Sequence, residues 1–220
     1  MQGVSRVRSS PGKKRARVAV GIGAVSPGDG FISLGTSGVS FVVTDRFRPN
    51  PQSAVHAFCH ALPGRWHQMS VMLSAASCLS WVARLTGAQD EAALLERMKA
   101  LEPAAFDRAP LFLPYLSGER TPHNDAKIRG VFTGIGHESS RAVLTQAVLE
   151  GVTFAIRDNL EALKSAGTSI SRVTAIGGGS RSRYWLTSIA TALNLPVDLP
   201  ADGDFGAAFG AARLGLIAAT

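Results

Sequence analysis

The sequence predicts an α/β protein in which a mixed sheet is flanked by helices, and three stretches carry that expectation. Val173–Leu193 passes from a short apolar run (Val173, Ala175, Ile176) through Gly177-Gly178-Gly179 into a segment where Trp185, Leu186, Ile189, Ala190 and Leu193 recur at helical spacing. Gly30–Leu34 and Val39–Thr44 read as two strands around a Gly35-Thr36-Ser37-Gly38 turn. Ser139 or Ser140 stands before a long amphipathic helix reaching about Ser165, with Val143, Ala147, Leu149, Val152, Ile156, Leu160 and Leu163 on its inner face.

The other elements follow in order. Val18–Val25 is small and apolar, and Ser26–Gly30 is a turn cluster. Strands are expected near Val55–His60 and Trp66–Met69, succeeding the first two as a meander. Val71–Leu85 has Met72, Leu73, Ala76, Leu79, Val82 and Leu85 on one helical face, and Glu91–Leu101 reads as a more polar helix. Apolar Leu111–Leu116 precedes Ser117–Asp125, nine polar and turn-forming residues of the kind that carry function when held between apolar segments. A brief strand is expected at Gly130–Ile135 and another at Pro196–Leu199. Gly206–Ala219 is a helix of small residues, suited to close packing against another backbone.

With 220 residues, 45% of them apolar, the chain can bury a real core. The formal charge of +7 owes six units to Arg6, Arg8, Lys13, Lys14, Arg15 and Arg17. Residues 1–17 therefore read as a basic, disordered tail, and without them nothing favours nucleic acid. Cys59 and Cys78 make no disulfide framework and fit a reducing compartment, the cytoplasm. No apolar run approaches the ~20 residues that span a bilayer, so no membrane partner is expected.

Two places offer chemistry. The Gly35–Gly38 turn presents consecutive backbone N–H groups and the hydroxyls of Thr36 and Ser37 in one concavity, a cradle for phosphate oxygens; an ordinary β-turn is the alternative. Gly177–Gly179, followed by Ser180 as a helix cap, lets a ligand approach the backbone beside a helix N-terminus; a tight turn without a ligand is the alternative. No P-loop, no GxGxxG and no GxSxG is present. His56, Cys59 and His60 have metal-like spacing only if helical, where a strand is expected, so no metal site is assigned.

SLGTSG at 33–38, YLSGERTPHND at 115–125, RGVFTGI at 129–135, AVLEGVTFAIRDNLE at 147–161 and IGGGSRSRYW at 176–185 occur together and in that order. Over residues 18–218 the chain resembles the C-terminal domain of FGGY-type carbohydrate kinases. The resemblance implies the ATP-binding lobe of an actin-like, ribonuclease-H-like fold in residues 18–220, with ATP and Mg2+ as cofactors. It implies D-xylulose as substrate, bound only with an N-terminal lobe that this chain lacks, and an exposed cleft face open to self-association. By carry-over, Gly35, Thr36 and Ser37 face the phosphates, Gly178, Gly179 and Ser182 border the adenosine, and Glu119–Asp125 lies near the cleft. The family places a Gly-Asp-Asn-Ala-Ala-Gly segment before its Gly-Thr-Ser-Gly turn, and its aspartate deprotonates the sugar hydroxyl. Counting back from Val25, Lys14 stands at the aspartate position and Arg15 at the asparagine position. A protonated lysine cannot take that proton, so no catalytic residue is assigned and the isolated chain is expected to be nearly inactive. A non-catalytic nucleotide-binding or interaction module is the other reading. Val143 departs from the polar residue usual in the family, which implies a lost helix cap.

Overall fold

Short runs of β-branched and aromatic residues, bounded by glycine turns, form the centre of the molecule. The computed structural model describes residues 11–98, 109–200 and 206–219. Helix α1 (Pro11–Ile22) precedes the strands β1 (Asp29–Leu34), β2 (Gly38–Thr44), β3 (His56–Cys59) and β4 (Trp66–Met72). Helices α2 (Ser77–Leu85) and α3 (Glu91–Met98) lead to the short pair β5 (Leu111–Leu113) and β6 (Val131–Thr133), and then to α4 (Arg141–Ser165). Strand β7 (Arg172–Ile176), a 3-10 turn over Gly178–Arg181, α5 (Arg183–Leu193), β8 (Val197–Asp198) and α6 (Gly206–Ala219) follow. Among the described residues no helix is long and apolar enough to cross a membrane.

The main sheet is mixed, as expected, with strand order β3-β4-β2-β1-β7-β8. β1 pairs antiparallel with β2 and parallel with β7, and β7 pairs parallel with β8. The expected meander is corrected: β4 lies between β2 and β3. The connection over residues 45–55, pinned where Arg48 donates to the Gly167 carbonyl at 2.6 Å and Asn50 to the Ser165 hydroxyl at 3.0 Å, carries the chain out to the sheet edge before it returns.

Helices cover both faces, which is why every residue of β2 is buried. On one face Ile32, Leu34, Val173 and Ala175 pack against Val82 of α2, Val152 and Ile156 of α4, and Trp185 and Ile189 of α5. On the other, Phe31, Phe41, Val43 and Ile176 meet Val18 and Ala19 of α1. Phe41 stacks between Phe31 at 4.7 Å and His67 at 4.4 Å. Cys78 is buried and Cys59 exposed, both as free thiols.

Several expectations need correction. Residues 11–17, expected within a disordered tail, form the first half of α1; residues 1–10 lie outside the described part. Ala16 and Ala19 are buried, and α1 lies against α6 so closely that a Cβ on Gly210 would stand 1.7 Å from the Arg17 carbonyl oxygen. Arg213 adds hydrogen bonds to the Val20 and Gly21 carbonyls at 3.2 and 3.4 Å, at the α1 C-terminus where a cation is favoured. The helix expected from Val71 begins at Ser77, because Val71 and Met72 pair with Val39 and Gly38 as the end of β4. Residues 99–101, expected as the end of the second helix, lie outside the described part. No cap is lost at Val143: the Ser140 hydroxyl accepts from the Val143 N–H at 3.3 Å, which makes Ser140 the cap of α4.

Replacing Gly210 by Ala should force α1 off α6 and lower stability by about 1–3 kcal/mol, read as a lower Tm with helix content reduced. His60 and His67 are buried beside Phe41, and both ring nitrogens of His67 lack a hydrogen-bond partner among the described residues. Burial holds His60 down to about 4 and His67 to about 3, with Arg65 and His60 as the respective minor causes. An unfolded histidine binds a proton below about 6.5, so the unfolded state takes up more protons and stability falls as pH drops from 6.5 toward these values. Denaturant titrations should show that loss, and His67→Phe should flatten it.

Candidate functional site

Parallel pairing of β1 with β7, from Asp29 opposite Arg172 to Ser33 opposite Ile176, ends both strands at one edge of the sheet. Each runs into a glycine turn there. In a sheet of this kind, ligands settle beyond the carboxyl ends of parallel strands, where free backbone groups converge.

The first turn, Gly35-Thr36-Ser37, has its carbonyls gripped from behind. The Ala76 N–H donates to the Gly35 oxygen at 2.9 Å, and the Thr36 oxygen accepts from the Ala75 N–H at 2.9 Å and the Ser77 hydroxyl at 2.7 Å. Gly38 makes room for this strap, since a Cβ there would fall 2.4 Å from Met72 Cγ. With its carbonyls turned inward, the turn leaves Thr36 exposed and Gly35 and Ser37 half-buried at the surface.

The second turn abuts the first. Gly177 has φ +90°, a conformation that favours glycine, and a Cβ there would lie 3.0 Å from the Leu34 oxygen and 3.4 Å from the Gly35 nitrogen. Gly179 is equally confined, with Leu34 Cβ and the Trp185 ring both 2.8 Å from where its Cβ would be. Gly178 between them has nothing within 4 Å on that side among the described residues. The expected helix cap moves from Ser180 to Ser182, whose hydroxyl accepts from the Trp185 N–H at 3.3 Å. The Ser180 hydroxyl instead donates to the Gly177 carbonyl at 2.7 Å, closing the 3-10 turn before α5 starts.

Gly178, Gly179 and Ser182 border a cavity of about 490 Å³ whose other walls are α2 and α3, through Ala76, Leu79, Ser80, Glu91 and Leu95. Trp185 closes the floor, and its indole N–H donates to the Leu149 oxygen at 3.2 Å and the Thr153 hydroxyl at 3.1 Å. The Ser80 hydroxyl donates to Glu91, which holds that half-buried carboxyl below its usual range. The lining is mostly apolar with a polar rim, which suits a flat ring and a hydroxylated appendage. Ala76 belongs both to this lining and to the strap behind Gly35, so the cavity adjoins the segment that holds the first turn, while Gly35, Thr36 and Ser37 themselves lie outside the lining.

All six expected binding residues therefore gather at one sheet edge. Lys14 and Arg15 lie on α1, and burial lowers the affinity of Arg15 for its proton; the Lys14 side chain is outside the described part. Residue patterns missed the cavity walls on α2 and α3, because Leu79 and Leu95 recur like any core residue. Arg181, also on the lining, carried no signal beyond its place after the glycines. Among the described residues no three His, Cys, Asp or Glu side chains converge on a metal position.

Residues 30–219 match the family model described as the FGGY family of carbohydrate kinases, C-terminal domain. The chain belongs to that family. This FGGY domain is 49% identical over 208 residues to the xylulose kinase of Escherichia coli K12, covering 94% of this chain and 43% of the relative. It is 35% identical to that of Bacillus subtilis, covering 92% of this chain and 40% of the relative. It superposes on a xyloylose kinase from Brucella ovis at 62% identity and TM-score 0.88, over 94% of this chain and 42% of that one. A Plasmodium falciparum glycerol kinase solved with ADP shares the fold alone, at 16% identity and TM-score 0.82, over 92% of this chain and 41% of that one. The domain thus spans about two fifths of the length of these relatives, and its mixed sheet flanked by helices is the C-terminal lobe of their actin-like fold.

The two neighbouring glycines should separate by substitution. Gly178→Val fills open space, so Tm should hold while nucleotide affinity drops by about tenfold or more in calorimetry. Gly179→Ala drives a methyl into Leu34 and Trp185 and should instead lower Tm.

Proposed function

We propose that this chain is the nucleotide-binding lobe of a xylulose kinase, which transfers the γ-phosphoryl group of MgATP to D-xylulose when a sugar-binding lobe is supplied. The observation that carries the reading is that the cavity beside Gly178 adjoins, through Ala76, the segment holding the Gly35–Ser37 turn, at the shared carboxyl edge of β1 and β7. Adenosine would lie against Gly178, Gly179 and Ser182 between α2 and α3. The phosphates would reach the backbone N–H groups and hydroxyls of Gly35, Thr36 and Ser37, with Mg2+ entering on the phosphates. Residues 18–220, with the start of α1 packed on them, form that lobe.

The names of the relatives support the substrate, and the family supports ATP. Phosphoryl transfer depends on positioning both substrates and neutralising charge. A lobe that offers phosphate cradles and carries Lys14 at the position of the family's base should turn over xylulose very slowly. That lysine also favours a second reading, a nucleotide-binding module that docks a partner and does no chemistry itself.

Calorimetry with ATP and ADP on the purified chain tests the site. Binding is expected, weakened by Thr36→Ala as well as by the valine at position 178, with no xylulose phosphorylation above background. Absence of binding by a chain shown to be folded would reject the nucleotide site, and turnover by the chain alone would reject the division of labour between lobes.

A further inference from the structure

The polar loop after β5 contains a carboxyl whose placement its surface composition does not explain. Glu119 is 2% exposed. Its Oε1 accepts two backbone N–H groups, from Arg120 at 2.7 Å and from Leu73 at 3.0 Å, while the buried Oε2 has no partner among the described residues. The loop is rigidly mounted. Glu119 and Asp125 exchange backbone hydrogen bonds at 2.8 and 2.9 Å, and Thr121 exchanges two with Val71 of β4, at 3.0 and 3.1 Å. Asn159 of α4 donates to the Thr121 carbonyl at 3.1 Å.

Leu73 opens the strap that grips the first glycine turn. The Glu119 carboxyl holds its N–H on one side, and two residues later the N–H groups of Ala75 and Ala76 hold the Thr36 and Gly35 carbonyls on the other. A single short segment, Leu73–Ser77, therefore links a buried charge to the backbone that would meet phosphate.

We propose that Glu119 is a positioning residue: its ionised carboxyl fixes the Leu73–Ser77 strap and through it the orientation of the Gly35–Ser37 turn. The proposal deepens the nucleotide-site reading and, where it concerns affinity, rests on it. A carboxylate accepts N–H bonds about twice as strongly as a neutral group, so loss of its charge loosens the strap.

Burial raises this carboxyl to about 7, against the lowering effect of the Arg120 and Leu73 N–H groups. Its titrating neighbours are Cys78 of α2, pushed up to about 12 by burial and then by the Glu119 charge, and Tyr115, raised by burial, by Asp158 of α4 and by Glu119. Tyr115 in turn meets His123 at 2.9 Å. Neither Cys78 nor Tyr115 changes charge near neutrality, whereas Glu119 does.

Amide NMR of the full chain between pH 5.5 and 8.5 tests the coupling without ligand. The Leu73, Ala75 and Ala76 resonances should titrate together with a midpoint near 7, and Glu119→Gln, which keeps an acceptor oxygen but cannot ionise, should abolish that titration. In parallel, ADP affinity of Glu119→Gln relative to the parent should be about tenfold lower at pH 8 and within about twofold at pH 6, the difference of one charge-assisted hydrogen bond. Flat amide shifts in the parent, or equal affinities at both pH values, would overturn the positioning role. Titrating amides in a chain that binds no ADP would sustain the coupling and reject the nucleotide reading alone.

Discussion

Everything at the site depends on the parallel pairing of β1 with β7. Five residue pairs in register bring the ends of two strands, separated by some 140 residues of sequence, to the same edge. There the second glycine turn abuts Leu34 and Gly35, where the first begins, and no loop-level adjustment could create that contact if the strands slipped by one residue. Such a slip would also exchange the faces of Phe31 and Ile32, putting the α1 side of the core where the α4 side belongs. Register, core and site are one constraint.

The sequence made part of this legible. Strands β1 and β2, both glycine turns, α4 and α6 have patterns that local physics dictates: period-two or continuous apolar runs, glycines at turns, serine ahead of a helical stripe. The five family motifs then specified their mutual arrangement. What stayed hidden was set by tertiary contact. Leu73–Ser77 continues a helical stripe in one dimension, yet β2 claims Met72 as a strand partner and the Thr36 carbonyl claims Ala75 and Ser77. Ser180 reads as the cap from its place after the glycines, but its hydroxyl is engaged by the Gly177 carbonyl and the helix starts only after Ser182.

The basic N-terminal segment teaches a related point. Charge density suggested a tail, but Ala16, Val18, Ala19 and Val20 are small enough for α1 to come within backbone distance of Gly210. Ordering there is decided by fit against α6 and the Phe31–Phe41 face, which a charge count does not register. The same holds for Glu119: its loop stood out as polar, and only the fold reveals that its most polar member is among its most buried.

Trp185 makes the cavity optically self-reporting. Its indole is dry, anchored by two acceptors on α4, and belongs to the cavity lining. The other two tryptophans, Trp66 and Trp81, lie half-exposed outside that lining. A molecule entering the cavity would alter the surroundings of this indole before those of the other two, and with them the blue edge of the emission, where the buried indole contributes most, so occupancy can be followed on the unlabelled protein.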